Sequence, residues 1–205
     1  LLVPQTYDAE HVKALHKFLL QDIYEWAGAY RTTELVKGPR GYFASPFGSP
    51  SGIDQALTEA AAVAQSVDWP NVTREQFGTK MAEIFAWVNH AHPFREGNGR
   101  TSKMFLDHIA HRSRFRLDYA AVDPMAWNFL SDVSRPEKGE HTINPGPLAE
   151  MFKNITTERP NLRDRLSERL EQLKQQRQGK GTGERSRRGP EAGDERPARK
   201  GPKRP

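Results

Sequence analysis

Residues 73–110 read TREQFGTKMAEIFAWVNHAHPFREGNGRTSKMFLDHIA, and the rest of the chain is understood from this run. Thr73 with Gln76 three residues on is the pattern of a capping box, in which side chain and backbone cap each other at a helix start. Phe77, Met81, Ile84, Phe85 and Val88 then fall on one helical stripe, the most persuasive buried face in the sequence. The pattern breaks at His92-Pro93, glycines stand at 97 and 99, and after Arg100 a second helix carries Phe105 and Ile109. The expectation is a buried helix, a tight loop and another helix.

The loop His92-Pro93-Phe94-Arg95-Glu96-Gly97-Asn98-Gly99-Arg100 is where the chemistry-bearing residues collect. Gly97 and Gly99 permit positive φ, which turns successive backbone N–H groups toward one point as a nest for an anion. The N-terminus of the following helix adds unpaired N–H groups and the positive end of its dipole. Arg100 and Lys103, in that helix's first turn, can neutralise further phosphate oxygens. Glu96 beside such a site suits Mg²⁺, which takes one or two carboxylates along with phosphate oxygens and water. His92, at the end of the preceding helix, titrates near neutrality and can take a proton from an attacking hydroxyl. Phe94 is expected to anchor the loop in the core. Each of these residues alone has an ordinary reading as a turn, a surface charge or a structural histidine; their order and spacing set them apart.

Most of residues 8–177 carries helical periodicity. Val12, Leu15, Leu19, Ile23 and Trp26 form a stripe that Gly28 can stop, and Ile53, Leu57, Ala61 and Ala64 form another after Ser51. Asp123-Pro124 and Asn144-Pro145 each set a capping residue before a proline suited to the first helical position. Trp127 and Leu130 belong to the first of these helices, and Leu148, Phe152 and Ile155 to the second. Residues 31–50 hold too many Gly and Pro for a helix, so Thr32–Val36 and Gly41–Ala44 are read as strands of a hairpin around Lys37-Gly38. Leu162, Leu166, Leu170 and Leu173 mark a last amphipathic helix, capped by Asn161, that either packs on its own domain or receives a partner.

The net charge of +5 is unevenly placed. Nine of the 31 Lys and Arg but four of the 26 Asp and Glu follow Gln178, leaving 22 of each sign in residues 1–178. The globular part is formally neutral, so no nucleic-acid groove is expected across it. Residues 179–205 hold six Gly and four Pro without an aromatic side chain, a composition too poor in apolar surface to order itself. There is no cysteine, hence no disulfide or thiolate metal site, and no apolar run approaches the roughly 18 residues of a membrane span. The expected organisation is a catalytic domain over 1–157, an amphipathic helix over 158–178 and a basic tail over 179–205.

The run from His92 to Arg100 resembles the signature of the Fic family, His-x-Phe-x-(Asp/Glu)-Gly-Asn-Gly-Arg-x-x-Arg, at all seven constrained positions. Gln21–Gly28 with Arg31 looks like the family's early helix and its end, and residues 32–47 like its flap. The resemblance implies an all-α fold, a helical bundle with a small β-hairpin flap over the active site. It implies a protein adenylyltransferase: His92 as base, Glu96 holding Mg²⁺ on ATP, and Gly97, Asn98 and Gly99 as the anion hole, with Arg100 on the phosphates. The flap, including Lys37 and Phe43, would hold the backbone of a target protein by strand addition. The family's last motif position is Arg, and here it is Lys103, which keeps the charge but loses the planar two-point grip. Family members are inhibited by a helix with a (Ser/Thr)-x-x-x-Glu-(Gly/Asn) pattern. Thr6 to Glu10 and Ser167 to Glu171 approach it without completing it, so an inhibitor is expected on a separate antitoxin-like protein or upstream of Leu1. Both a cytoplasmic protein and an effector secreted into another cell suit this reading.

Three rival readings differ in class. The same fold can transfer UMP, phosphocholine or phosphate, although the intact Gly-Asn-Gly-Arg argues against the phosphate branch. A metal hydrolase would use His90, His92 and Glu96, but residues two apart on a helix face different ways. A non-catalytic nucleotide or nucleic-acid module would depend on the basic tail and have no need of His92.

Overall fold

Thr73 opens the central helix as expected. Its hydroxyl accepts from the Gln76 amide at 3.2 Å while the Gln76 side chain accepts from the Thr73 amide at 2.9 Å. In the computed structural model, which describes residues 3–35, 47–136, 140, 142–160 and 162–183, this helix is the third of seven. In order they are α1 (Ala9–Leu20), α2 (Ile53–Ser66), α3 (Arg74–Ala91), α4 (Asn98–Ala110), α5 (Pro124–Val133), α6 (Gly146–Ile155) and α7 (Leu162–Gly183). The chain divides into two compact units, Leu1–Arg159 and Pro160–Pro205.

In the first unit α3 is the axis, packed along α2 and α6, while α1 packs on α4. Phe77, Met81, Ile84, Phe85 and Val88 are all buried, joined by Ile53, Leu57 and Ala64 of α2 and Leu148, Phe152 and Ile155 of α6. Gly78 lets α3 and α6 approach: a Cβ there would lie 2.7–2.8 Å from Lys153, backbone included. Trp69, wholly buried, satisfies its indole N–H on the Ala64 carbonyl at 2.8 Å.

Two short strands, β1 (Phe115–Leu117) and β2 (Thr156–Glu158), pair antiparallel with Phe115 opposite Glu158 and Leu117 opposite Thr156. They tie the chain leaving α4 to the end of α6. β2 straddles the boundary expected after residue 157, because three residues paired with a distant partner carry no periodicity of their own. The helical bundle is as expected, but this sheet is not the expected flap. Of that hairpin, residues 36–46, with Lys37 and Phe43, lie outside the described residues, and residues 32–35 are not strand.

Other boundaries moved. α1 ends at Leu20 rather than running to Gly28; residues 21–28 form turns, and Ile23 is 64% exposed instead of buried. α6 begins one residue later than Asn144-Pro145 suggested, with Pro145 in the capping position. Asp123 does cap α5, accepting from the Met125 and Ala126 amides at 2.8 and 3.1 Å. In the second unit α7 extends past residue 178 to Gly183, and Leu166, Leu170 and Leu173 are exposed. Asn161 and residues 184–205 lie outside the described residues. Among the described residues, no helix is long and apolar enough to cross a membrane.

Candidate active site

The last turn of α3 delivers His92 in an unusual conformation. It caps the helix in the left-handed region, φ 37° and ψ 59°, with its amide on the Val88 carbonyl at 3.0 Å. That region is costly for a residue with a Cβ, and Pro93 restricts its predecessor further. The surroundings hold it there. Arg31, 1% exposed, donates from Nε to the His92 carbonyl at 2.9 Å and from Nη2 to Ala91 at 3.2 Å and to Gly48. Its Nη1 donates to Thr33 at 2.8 Å, and its own amide donates to Pro93 at 2.8 Å. One guanidinium thus satisfies the carbonyls of a loop that has no helix or sheet to do so. Burial lowers its pKa, and nearby Glu34 opposes that shift. The His92 ring stacks on Phe47, centroids 3.7 Å apart and planes 24° from parallel.

Beyond His92 the loop closes on itself through Asn98. Its side chain accepts from the Phe94 amide at 2.9 Å and donates to the Phe94 carbonyl at 2.7 Å, and Phe94 is completely buried. The Asn98 side chain therefore builds the loop, which leaves its backbone amide as the group it could offer to an anion. Gly97 caps α4 at φ +80°, and a Cβ there would fall 2.3 Å from Leu20 Cδ1. Gly99 corrects the sequence reading: it takes a helical φ, because α4 starts at Asn98 and not after Arg100. A Cβ at Gly99 would meet nothing within 4 Å among the described residues. The first helical acceptor, the Gly97 carbonyl, takes the Thr101 amide at 3.0 Å, so the amides of Asn98, Gly99 and Arg100 precede the hydrogen-bonded ladder. Glu96 Oε1 accepts the Gly97 amide at 3.0 Å, which fixes that carboxylate beside the helix start.

His16 supports the same junction from α1. The Gly28 amide donates to its Nδ1 at 2.8 Å, so Nε2 carries the proton and donates to the Glu96 carbonyl at 3.0 Å. The ring is stacked on Phe94 at 3.7 Å and on Trp26 at 5.8 Å. Burial holds its pKa below the ordinary imidazole range; the Glu96 carbonyl opposes this and the Arg100 charge adds to it.

The structure thus gathers His92, Glu96 and Gly97–Arg100 at one helix–loop–helix junction. Lys103 is half-buried one turn into α4, with its ammonium over the rings of Trp127 at 4.9 Å and Tyr119 at 5.0 Å. Among the described residues no group of three or more His, Cys, Asp or Glu is placed to hold a metal ion. Sequence reasoning gives no role to His16 or Phe47, and it includes Arg31 in the family resemblance without assigning it one. A signal exists for His16: it stands among Val12, Leu15 and Leu20 on the buried face of α1, where a polar residue needs a reason. Arg31 and Phe47 sit in irregular segments, where no periodicity marks a side chain as buried.

Residues 6–110 match the pattern of the Fic/DOC family. The chain is similar to a probable protein adenylyltransferase of Sinorhizobium fredii, 32% identical over 133 residues, covering 65% of this chain and 67% of that protein. A protein adenylyltransferase of Bartonella henselae is 26% identical over 165 residues, 75% of this chain but 29% of its own length. Among solved structures, BepC of Bartonella tribocorum, a VirB-translocated effector with bound AMPPNP, superposes with a TM-score of 0.64. It is 25% identical, over 76% of this chain and 77% of that one.

Proposed function

The chain belongs to the Fic/DOC family, and on that premise we propose that it transfers AMP from ATP to a Ser, Thr or Tyr hydroxyl of a target protein. The observation that carries this reading is the pairing of a rigidly held histidine with an open helix N-terminus. His92 is fixed at its backbone by Arg31, and beyond the loop α4 offers the amides of Asn98, Gly99 and Arg100, with open space over Gly99 among the described residues. The names of the relatives and the nucleotide in BepC agree with it.

In the proposed step His92 accepts the proton of the target hydroxyl, whose oxygen bonds to the α-phosphorus. The bond from that phosphorus to the bridging oxygen of the β-phosphate breaks, and pyrophosphate leaves. The α4 amides and Arg100 take up charge on the phosphate oxygens. A single carboxylate set beside the helix start fits Mg²⁺ held chiefly by phosphates, so Glu96 would be the residue that holds it, and the ion would supply charge neutralisation on the polyphosphate. The target would dock along residues 32–47, with Lys37 and Phe43 at its backbone. Lys103 would contribute charge at the phosphates from its aromatic seat, and a separate antitoxin-like protein would restrain the enzyme.

The test is transfer of label from ATP marked at the α-phosphate, beside ATP marked at the γ-phosphate, with cell lysate as acceptor. Protein-bound α-label that is lost in His92→Ala, while ATP still binds the variant, is the expected result. Label from the γ-phosphate would overturn adenylyl transfer in favour of phosphate transfer on the same fold. Label that persists in His92→Ala would remove His92 as the base.

A further inference from the structure

His92 has its backbone fixed by Arg31, but two side-chain torsions still decide where its ring nitrogens point. A base must sit within about 2.6–3.2 Å of the atom whose proton it takes, so those torsions matter as much as the backbone. Phe47, 5% exposed, lies against the imidazole almost face to face. It is itself held: the next residue, Gly48, donates its amide to the His90 carbonyl at 2.8 Å and accepts on its own carbonyl from Arg31. The guanidinium carbon of Arg135 lies over the same phenyl ring at 4.2 Å. A face already covered by an imidazole at 3.7 Å has no room for a second planar group at that distance, so the phenyl ring stands between the two. Arg135 is 7% exposed, and its ion pair with Asp132, one turn back at the end of α5, offsets part of the cost of burying it. A buried cation that served only to cap α5 would need no aromatic face beyond it.

We propose that Phe47, backed by Arg135, positions the His92 imidazole, so that an ordered layer of cation, phenyl and imidazole sets the direction of the base. The proposal rests on His92 being the base of the transfer reaction, and it adds two positioning residues from segments outside the signature. An aromatic pair stacked at this distance favours one ring orientation beyond the area it buries, and a desolvated cation on the far face holds the phenyl ring in place.

The experiment compares the wild-type chain with Phe47→Leu, Phe47→Tyr and Arg135→Gln in two measurements. The first is kcat and KM for ATP in AMP transfer. The second is the His92 Cε1–H resonance in histidine-labelled protein, assigned with His92→Ala. Phe47→Leu should lower kcat on the order of tenfold to a hundredfold, the scale of a misplaced catalytic group, with KM within about twofold. Its His92 resonance should move downfield as ring-current shielding is lost. Phe47→Tyr should recover most of the rate and the resonance position. Arg135→Gln should shift both in the Phe47→Leu direction by a smaller amount. An unmoved resonance, an effect confined to KM, or a tyrosine variant as impaired as the leucine one would overturn the proposal. If the wild type transfers no AMP, the functional reading fails and the resonance alone decides the stack. Circular dichroism of each variant separates these results from loss of folding.

Discussion

Gly97 and Gly99 flank one residue of the loop, yet alanine at the two positions should do opposite things. At Gly97 the backbone is left-handed at φ +80°, which costs an alanine about 1–2 kcal/mol. The new Cβ would also fall 2.3 Å from Leu20 Cδ1 and 3.4 Å from His16 Nε2. Leu20 is fully buried at the end of α1, so its methyl has little room to retreat, and overpacking of this kind costs about 1–3 kcal/mol. Gly97→Ala should therefore lower unfolding stability by about 2–5 kcal/mol in a urea titration. Gly99 has a helical φ with nothing within 4 Å of its would-be Cβ among the described residues, and alanine is favoured over glycine in a helix by up to about 1 kcal/mol. Gly99→Ala should fold at least as stably as the wild type. Its methyl would nevertheless stand where the proposed function brings phosphate to the first amides of α4, and on that reading ATP affinity measured by calorimetry should fall at least about tenfold. A Gly97→Ala protein within about 0.5 kcal/mol of the wild type would refute the packing argument. A Gly99→Ala protein that binds ATP normally would refute the placement of the phosphates over α4.

Arg31→Lys should be poorly tolerated despite keeping the charge, because an ammonium cannot span the carbonyls of Thr33, Gly48, Ala91 and His92. Buried carbonyls without donors cost about 1–3 kcal/mol each, so a loss of about 3–5 kcal/mol is expected, and urea titration reads it directly. The protein should also weaken in mild acid. His11, 1% exposed, accepts the Tyr7 amide on Nδ1 and faces His108 Nδ1 from Nε2 at 2.9 Å. Burial, then the charge of His108, lowers its pKa to about 4, with Asp8 opposing. The unfolded chain binds this proton first, so the contribution is complete above about pH 6.5 and is lost as pH falls toward 4. Buried His16 adds in the same direction. Stability measured from pH 7 to pH 4 should show that slope, and His11→Gln should flatten it.

The elements that were legible in the sequence are those whose signal is local. Thr73 and Gln76 cap α3, Asp123 caps α5, and the stripe from Phe77 to Val88 is buried, since capping and periodicity are properties of neighbouring residues. The reading failed where a distant partner decided the outcome. Apolar spacing alone extended α1 through Ile23 and Trp26, but Ile23 stays exposed, and the chain turns so that the Gly28 amide reaches His16. β1 and β2 could not be foreseen, because three-residue strands gain stability only from one another. Gly99 was read as a twin of Gly97 because composition cannot tell a residue that caps a helix from one already inside it.

The same division explains why the signature of the site was readable and its frame was not. The proposed site lies on one connection between two helices, so its residues, His92 to Arg100, are contiguous. A connection of that kind leaves carbonyls at Ala91, His92, Pro93 and Glu96 without a helical or sheet partner. Their donors must come from elsewhere in the fold: Arg31 stands 61 residues from His92, and His16 stands 80 residues from Glu96. Such donors look ordinary in sequence, one an isolated arginine before a breaker-rich segment, the other a histidine on an apolar helix face. The proposed base and anion site both require the connection to be still, and buried donors achieve this where more apolar packing would leave the carbonyls unsatisfied. A single arginine or histidine at a buried position, in a chain that also carries a glycine-rich catalytic loop, is therefore a candidate for that loop's support.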